Sequence, residues 1–268
     1  MYKFSCFGVA MKYFVVSDIH GYYSSLQKAL TQKGFDIDDP NHMLIICGDM
    51  MDRGDCPVQM QTYVKQLLIK KKVILIRGNH EDVAVDLIRN YYKYYKQIKN
   101  THYFSNGTFQ TLLALTKMTI NSAMRFPIRF IYKAKRTPYI KFIIPRMLDY
   151  YETNNYIFVH GWIPCITKKV NDHSSSVESY NYDSNWRNAD GKRWRAARWH
   201  DGIRCAKTWQ ILEGDKTIVC GHRGAVYGHE EFENDMSDNF SPFYSKGIIA
   251  IDTCTYFTQE VNCVVIDD

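Results

Sequence analysis

The sequence predicts an α/β fold with mixed sheets, and three observations carry that prediction. Short apolar runs rich in β-branched and aromatic residues recur along the chain, and the first three are each followed by a stretch of helical pattern. Each of the first five runs ends in a polar cluster. Two late runs stand close together and read as an antiparallel pair or hairpin rather than another crossover unit.

In chain order, the strand-like runs are 13–17, 43–47, 73–76, 156–159 and 217–220. Between the first and second lies a helical pattern over 22–33, with Leu26 and Leu30 one turn apart. A second helix is expected over 57–70, where Pro57 supplies the fixed φ and missing N–H that suit a first helical turn. The long stretch between His80 and Tyr156 is largely helical by pattern and includes a cationic segment, 125–146. The late runs, 247–251 and 261–266, complete the set. No linker composition or internal repeat divides the chain, so residues 1–268 are expected to form one domain.

Composition narrows the functional classes. At 46% hydrophobic and 23% charged residues, the chain lies far from a disordered profile. A formal charge of +6 favours anionic substrates without reaching the values of dedicated nucleic-acid binders. The first residues lack the long apolar region of a secretory signal, and no run approaches membrane-spanning length. The eight cysteines include no Cys-x-x-Cys pair, and Cys47, Cys220, Cys254 and Cys263 fall in strand-like runs. Free, buried thiols in a reducing cytoplasm are therefore the expectation. Cys56 and Cys165 lie close to the polar motifs, but nothing marks either as a nucleophile.

Those motifs carry the chemistry. The five runs end in Asp18-Ile-His20-Gly21, Gly48-Asp49-Met-Met-Asp52-Arg53-Gly54, Gly78-Asn79-His80-Glu81, His160-Gly161 and Gly221-His222. Loops at the carboxyl ends of neighbouring strands converge on one crevice in an α/β sheet, so five weak motifs can assemble one site. Aspartate, histidine and an amide oxygen form a ligand set suited to manganese, iron or zinc rather than to a thiolate-seeking ion. Asp49, whose motif lies between the other early ones, is the natural carboxylate to bridge two ions.

In this order the motifs resemble the calcineurin-like metallophosphoesterase superfamily, and more closely its phosphoprotein phosphatase branch, with its bacterial and bacteriophage serine/threonine phosphatases. The resemblance spans Asp18 to Asp252. It implies an αββα sandwich with mixed sheets, a largely helical insertion between the third and fourth motifs, and a centre of two divalent metal ions. It further implies Asp18 and His20 on the first metal, Asp49 on both, and Asn79, His160 and His222 on the second. His80 becomes the general acid, Asp52 its orienting partner, and Arg53 and Asn79 contacts to the phosphoryl oxygens. The implied activity is hydrolysis of phosphate monoesters, on phosphoproteins or small molecules, by in-line attack of a metal-bridging hydroxide. Manganese is the expected metal, with iron or zinc as alternatives.

Other readings compete: a dinucleoside polyphosphate hydrolase, a nucleic-acid phosphodiesterase or end-processing phosphatase, and a catalytically silent binding protein. The segment 125–146 has seven cations and no acid among Phe, Tyr and Ile, which suits a groove for single-stranded nucleic acid as well as a solvated helix face. The second phosphate-binding arginine does not align; among Arg195, Arg198 and Arg204, Arg198 is the expectation. Trp162 stands where relatives often have a small residue, with packing the expected role. His229 matches no ligand position and is expected at the surface or on the substrate side.

Overall fold

The computed structural model describes residues 11–169 and 177–268. The reading of the first ten residues lies outside them, as does Cys6.

The chain opens as β1 (Lys12–Val16), α1 (Tyr23–Lys33), β2 (His42–Cys47), α2 (Pro57–Ile69), β3 (Val73–Ile76) and α3 (Asn79–Tyr94). The insertion follows as α4 (His102–Ser105), α5 (Thr108–Thr116), α6 (Ile120–Arg125) and α7 (Pro127–Ala134), and ends in a short wide turn at Tyr139–Ile143. Then come β4 (Tyr151–Glu152), β5 (Tyr156–Phe158), β6 (Ile166–Lys169), β7 (Val177–Asn181), α8 (Gly191–Ala197), α9 (Gly202–Lys207), β8 (Thr217–Gly224) and α10 (Ala225–Glu233). The chain closes with β9 (Phe243–Ser245), β10 (Ile248–Asp252), α11 (Thr255–Thr258) and β11 (Val264–Asp267).

Two mixed sheets result, ordered β11-β1-β2-β3 and β4-β5-β8-β10-β9, with parallel strands at their centres. Alternation of side chains explains how they stack. Phe14, Val16, Leu44 and Ile46 face α1 to α3 and the insertion, whereas Val15, Ile45 and Cys47 meet Phe158, Val219 and Ile251 of the second sheet. Ile157, Ile218 and Cys220 face α8 and α9 on the far side. Both faces of each sheet are thus covered, which is why the strands read as unbroken apolar runs. The layers run helix, sheet, sheet, helix, as expected.

Three local expectations fail. The late runs do not pair: β10 joins the second sheet beside β8, and β11 joins the first beside β1. The connection between them crosses from one sheet to the other and carries α11, so two runs close in sequence end in different layers. The fifth run does not stop at Cys220 but continues through His222 to Gly224, held by pairing with β10 across a register shift. Asn79 and His80 open α3 rather than a loop. Among the described residues no helix is long and apolar enough to cross a membrane.

Candidate active site

The carboxyl ends of β1, β2, β3, β8 and β10 meet at a cavity of about 320 Å³ lined by Asp18, His20, Asp49, Arg53, Asn79, His80, His222 and Asp252 among others. Backbone bonds fix the approach: His20 N–H donates to Asp49 O at 3.0 Å, and Gly221 N–H to His160 O at 2.8 Å. Gly48 allows it sterically, since its φ is +82° and a Cβ there would lie 2.4 Å from His160 Nδ1. Asp18, His20, Asp49, Asp52, Arg53 and His222 all have positive φ. Such conformations disfavour residues with a Cβ, and their gathering here concentrates backbone strain at the cavity.

Two histidines are fixed in the tautomer a metal needs. His20 Nδ1–H donates to Met51 O at 3.1 Å, and His160 Nδ1–H to Cys47 O at 2.8 Å, which leaves the Nε2 lone pair of His20 at the cavity and that of His160 facing Asn79. Burial pushes His20 and His222 down to about 3 and lowers His160 as well, so all three rings are neutral near neutral pH. The amide oxygen of Asn79 faces His160 Nε2 at 2.7 Å, His222 Nδ1 at 3.2 Å and both Asp49 oxygens at 3.1 and 3.3 Å. These are all acceptors. Turning the amide would offer two protons to four acceptor atoms; a cation among them satisfies the whole set.

The carboxylates make the same demand. Burial, then the charges of Asp252 and Asp49, raises Asp18 well above the usual range, and Asp252 is pushed up to about 6, mainly by burial. Burial opposes the charge of Asp49 too, yet its carboxyl is held below the usual range among four histidine rings, of which His80 alone is raised. Two tight groups of donor atoms emerge, His20–Asp49–His80 and Asp49–His160–His222, and they share Asp49. The donor set therefore fits divalent cations.

Beside this cluster stands a hydrogen-bonded chain of His80, Asp52 and Thr108. His80 Nδ1 lies 2.8 Å from Asp52 Oδ2, which also accepts from the Thr108 hydroxyl at 2.5 Å. Burial disfavours the imidazolium of His80, yet the charges of Asp49 and Asp52 prevail and raise it to about 9. Arg53 donates to Nε2 of His20 at 2.9 Å, and its other terminal nitrogen lies 3.3 Å from Nε2 of His80, where a charged ring carries its own proton. Glu81 braces the second and third motifs, accepting from the N–H groups of Gly78 at 2.8 Å, Asp49 at 3.1 Å and Met50 at 3.2 Å.

A sequence profile of the calcineurin-like phosphoesterases matches residues 11–251. The chain belongs to that family. The family is one of metal-dependent hydrolases. Among curated relatives, the phosphoesterase is 33% identical over 76 residues to a bis(5'-nucleosyl)-tetraphosphatase (asymmetrical) of Bacillus velezensis, covering 26% of this chain and 30% of that protein. It is 39% identical over 72 residues to serine/threonine-protein phosphatase 1 of Salmonella typhimurium, covering 27% of this chain and 31% of that one. The aligned stretch thus spans less than a third of either relative. A cold-active protein-tyrosine phosphatase from Shewanella shares the fold at TM-score 0.53 and 16% identity, over 97% of this chain and 76% of that one.

The structure brings together the side chains of Asp18, His20, Asp49, Asn79, His160 and His222, with His80, Asp52 and Arg53 beside them. Asp18 lines the cavity and accepts from His222 N–H at 2.9 Å, while the tight group around His20 contains His80 in its stead. Arg198 is placed differently from the expectation: its guanidinium is 7% exposed and bonded to Asp82, at 2.7 Å, and to Asp149. Arg195 and Arg204 pair with Asp86 and Glu231. His229 is not at the surface; it is buried against Phe243, with Nδ1 2.6 Å from Glu233 Oε2. Trp162 packs in the core beneath the second sheet. In segment 125–146, Phe130, Tyr139 and Ile143 enter the core, and the guanidiniums of Arg136 and Arg146 lie over their own neighbours Tyr132 and Phe142.

Sequence reasoning missed several residues. Asp252 also follows a strand, the signal that marked the other motifs. Arg223, next to His222, lines the cavity and lies over the Tyr227 ring at 3.6 Å. Trp199, Tyr227, Tyr256 and Phe257 form an exposed aromatic rim, and Thr108 reaches Asp52 from the insertion; neither left a local pattern.

Proposed function

We propose that this phosphoesterase hydrolyses phosphate monoesters, phosphoproteins or small molecules, at a centre of two divalent ions. The observation that carries the reading is the Asn79 amide oxygen facing four acceptor atoms in a buried cluster. Two ions, manganese with iron or zinc as alternatives, would be held by Asp18, His20 and Asp49 and by Asp49, Asn79, His160 and His222, and would supply a water of lowered pKa and neutralise phosphoryl charge.

The chain's own groups account for the rest. Arg53, on a strained backbone at the cavity mouth, is set to donate to phosphoryl oxygens. Arg223 lines the same space from β8 and, although its Nε lies 3.3 Å from Asp201 Oδ2, its side chain is far more exposed than that of Arg198, so it is the better candidate for a second contact. His80 then delivers its proton to the leaving-group oxygen, with Asp52 fixing the ring and stabilising its charge.

The aromatic rim favours a second reading, cleavage of dinucleoside polyphosphates, since exposed rings beside a phosphate site can stack on bases. One experiment addresses both. Protein stripped by a chelator should lose p-nitrophenyl phosphatase activity and recover it with Mn²⁺; activity that survives thorough chelation overturns the proposal. A panel of phosphopeptides, nucleotides and diadenosine tetraphosphate on the restored protein then ranks the substrates.

A further inference from the structure

A second cluster of metal-binding side chains lies behind the site, on the far face of the second sheet. Cys165, His200 and Cys205 are buried, and one ligand atom from each lies within 4.8 Å of the others. They come from three places in the chain. Cys165 ends the segment that follows His160, His200 sits at the corner between α8 and α9, and Cys205 lies inside α9.

Several observations point to an ion rather than to packed thiols. His200 is 94% buried by its 6% exposure, yet its Nδ1 has no hydrogen-bond partner. A buried polar nitrogen without a partner is unfavourable by roughly 1–3 kcal/mol, and the contact of the ring with the Cys165 thiol does not satisfy it. The ring packs at a tilt of 48° against Tyr180, 4.6 Å between centroids. A cavity of about 380 Å³ reaches the cluster between Cys165, Thr167, Arg193 and His200, and leaves room for a fourth ligand from solvent.

We propose that Cys165, His200 and Cys205 bind a zinc ion, apart from the ions of the proposed catalytic centre. Two thiolates and an imidazole form a soft donor set that prefers zinc over manganese or magnesium. Zinc bonds of about 2.0–2.3 Å set tetrahedral ligand atoms roughly 3.5–3.8 Å apart, so a cluster whose ligand atoms lie within 4.8 Å of one another needs to contract by about 1.3 Å at most. The ion would act as a clamp. Trp162 N–H already donates to Ala197 O at 3.1 Å, joining the His160 segment to the end of α8. Zinc would tie the same two segments a second time and fix Trp199, which stands next to His200 on the rim of the catalytic cavity.

The test does not depend on catalysis. Full-length protein purified under reducing conditions and loaded with Co²⁺ should show thiolate-to-cobalt charge-transfer absorption in the near ultraviolet. That band should vanish in Cys165→Ser and Cys205→Ser but persist in Asp49→Asn, which alters only the other centre. Because the cysteine variants can fail to fold, unmodified zinc-loaded protein is also titrated with a mercurial, which should release about one zinc per chain to a chromogenic chelator. A wild-type cobalt spectrum without thiolate bands, or no mercurial-released zinc, overturns the proposal. So does a Cys165–Cys205 disulfide mapped in protein purified under reducing conditions.

Discussion

Replacing His80 with Asn separates its two candidate roles, proton donor and metal ligand. Its Nδ1 is 2.8 Å from buried Asp52 Oδ2, which leaves Nε2 as the nitrogen facing the cavity, 3.8 Å from Asp49 Oδ2. Asn fills less space and cannot carry a proton to an alkoxide. A placed general acid contributes roughly 10²- to 10⁴-fold, or about 3–5 kcal/mol at 1.36 kcal/mol per tenfold. The full factor should be lost from kcat/KM on an alkyl phosphate, whose alkoxide departs poorly without protonation. On p-nitrophenyl phosphate the loss should be distinctly smaller, since that phenolate leaves unaided, and metal content should be unchanged. Asp52→Asn should show a weaker version of the same selectivity. Equal losses on both substrates, or a lost ion, would refute the acid role and favour the alternative that the His20–Asp49–His80 grouping permits, His80 as ligand.

The remaining predictions concern ions and protons. Asp49→Asn should reduce occupancy of both ions, whereas His222→Ala should reduce mainly one; equal metal content in the two would contradict a bridging Asp49. Asp252 offers a test of the buried charge in metal-free protein. Its carboxyl rises from the ordinary 3.8 to about 6 in the fold. The native state therefore holds its proton longer than the unfolded chain, and stability present below about pH 4 is lost as pH rises through about 6. Asp252→Asn keeps an acceptor for the Cys254 N–H but has nothing to ionise. Its melting temperature should match wild type near pH 4 and exceed it by several degrees above pH 6, about 3 kcal/mol at the limit; a constant difference across that range would refute the charge argument.

Much of this was legible because each motif is both local and terminal to a strand. Asp18, Asp49 and His160 could be read as converging because β1, β2 and β5 are short, apolar on both faces and central to their sheets. Where partners lie far apart in sequence, the reading failed. Arg198 looked like a phosphate contact until Asp82 and Asp149, contributed by other elements, were seen to occupy its guanidinium. His229 has a polar neighbourhood in sequence, but α10 packs it under Phe243. The late runs looked like a hairpin because spacing says nothing about which of two stacked sheets a strand will join. The cluster of Cys165, His200 and Cys205 could not be read at all, since its spacing matches no compact metal motif and closure depends on the turn between α8 and α9.

The helical insertion has a bearing on how small such a catalyst can be made. Gly107, at φ +83°, brings the start of α5 so near the second motif that a Cβ would sit 2.5 Å from Arg53 N, and Thr108 supplies a hydrogen bond to the carboxylate behind His80. An engineer trimming the chain to its two sheets would keep every proposed metal ligand and still dismantle the wall that holds the proposed acid in register. The protein has no removable ornament between its third and fourth motifs: that stretch is the back of the active site, folded in from outside.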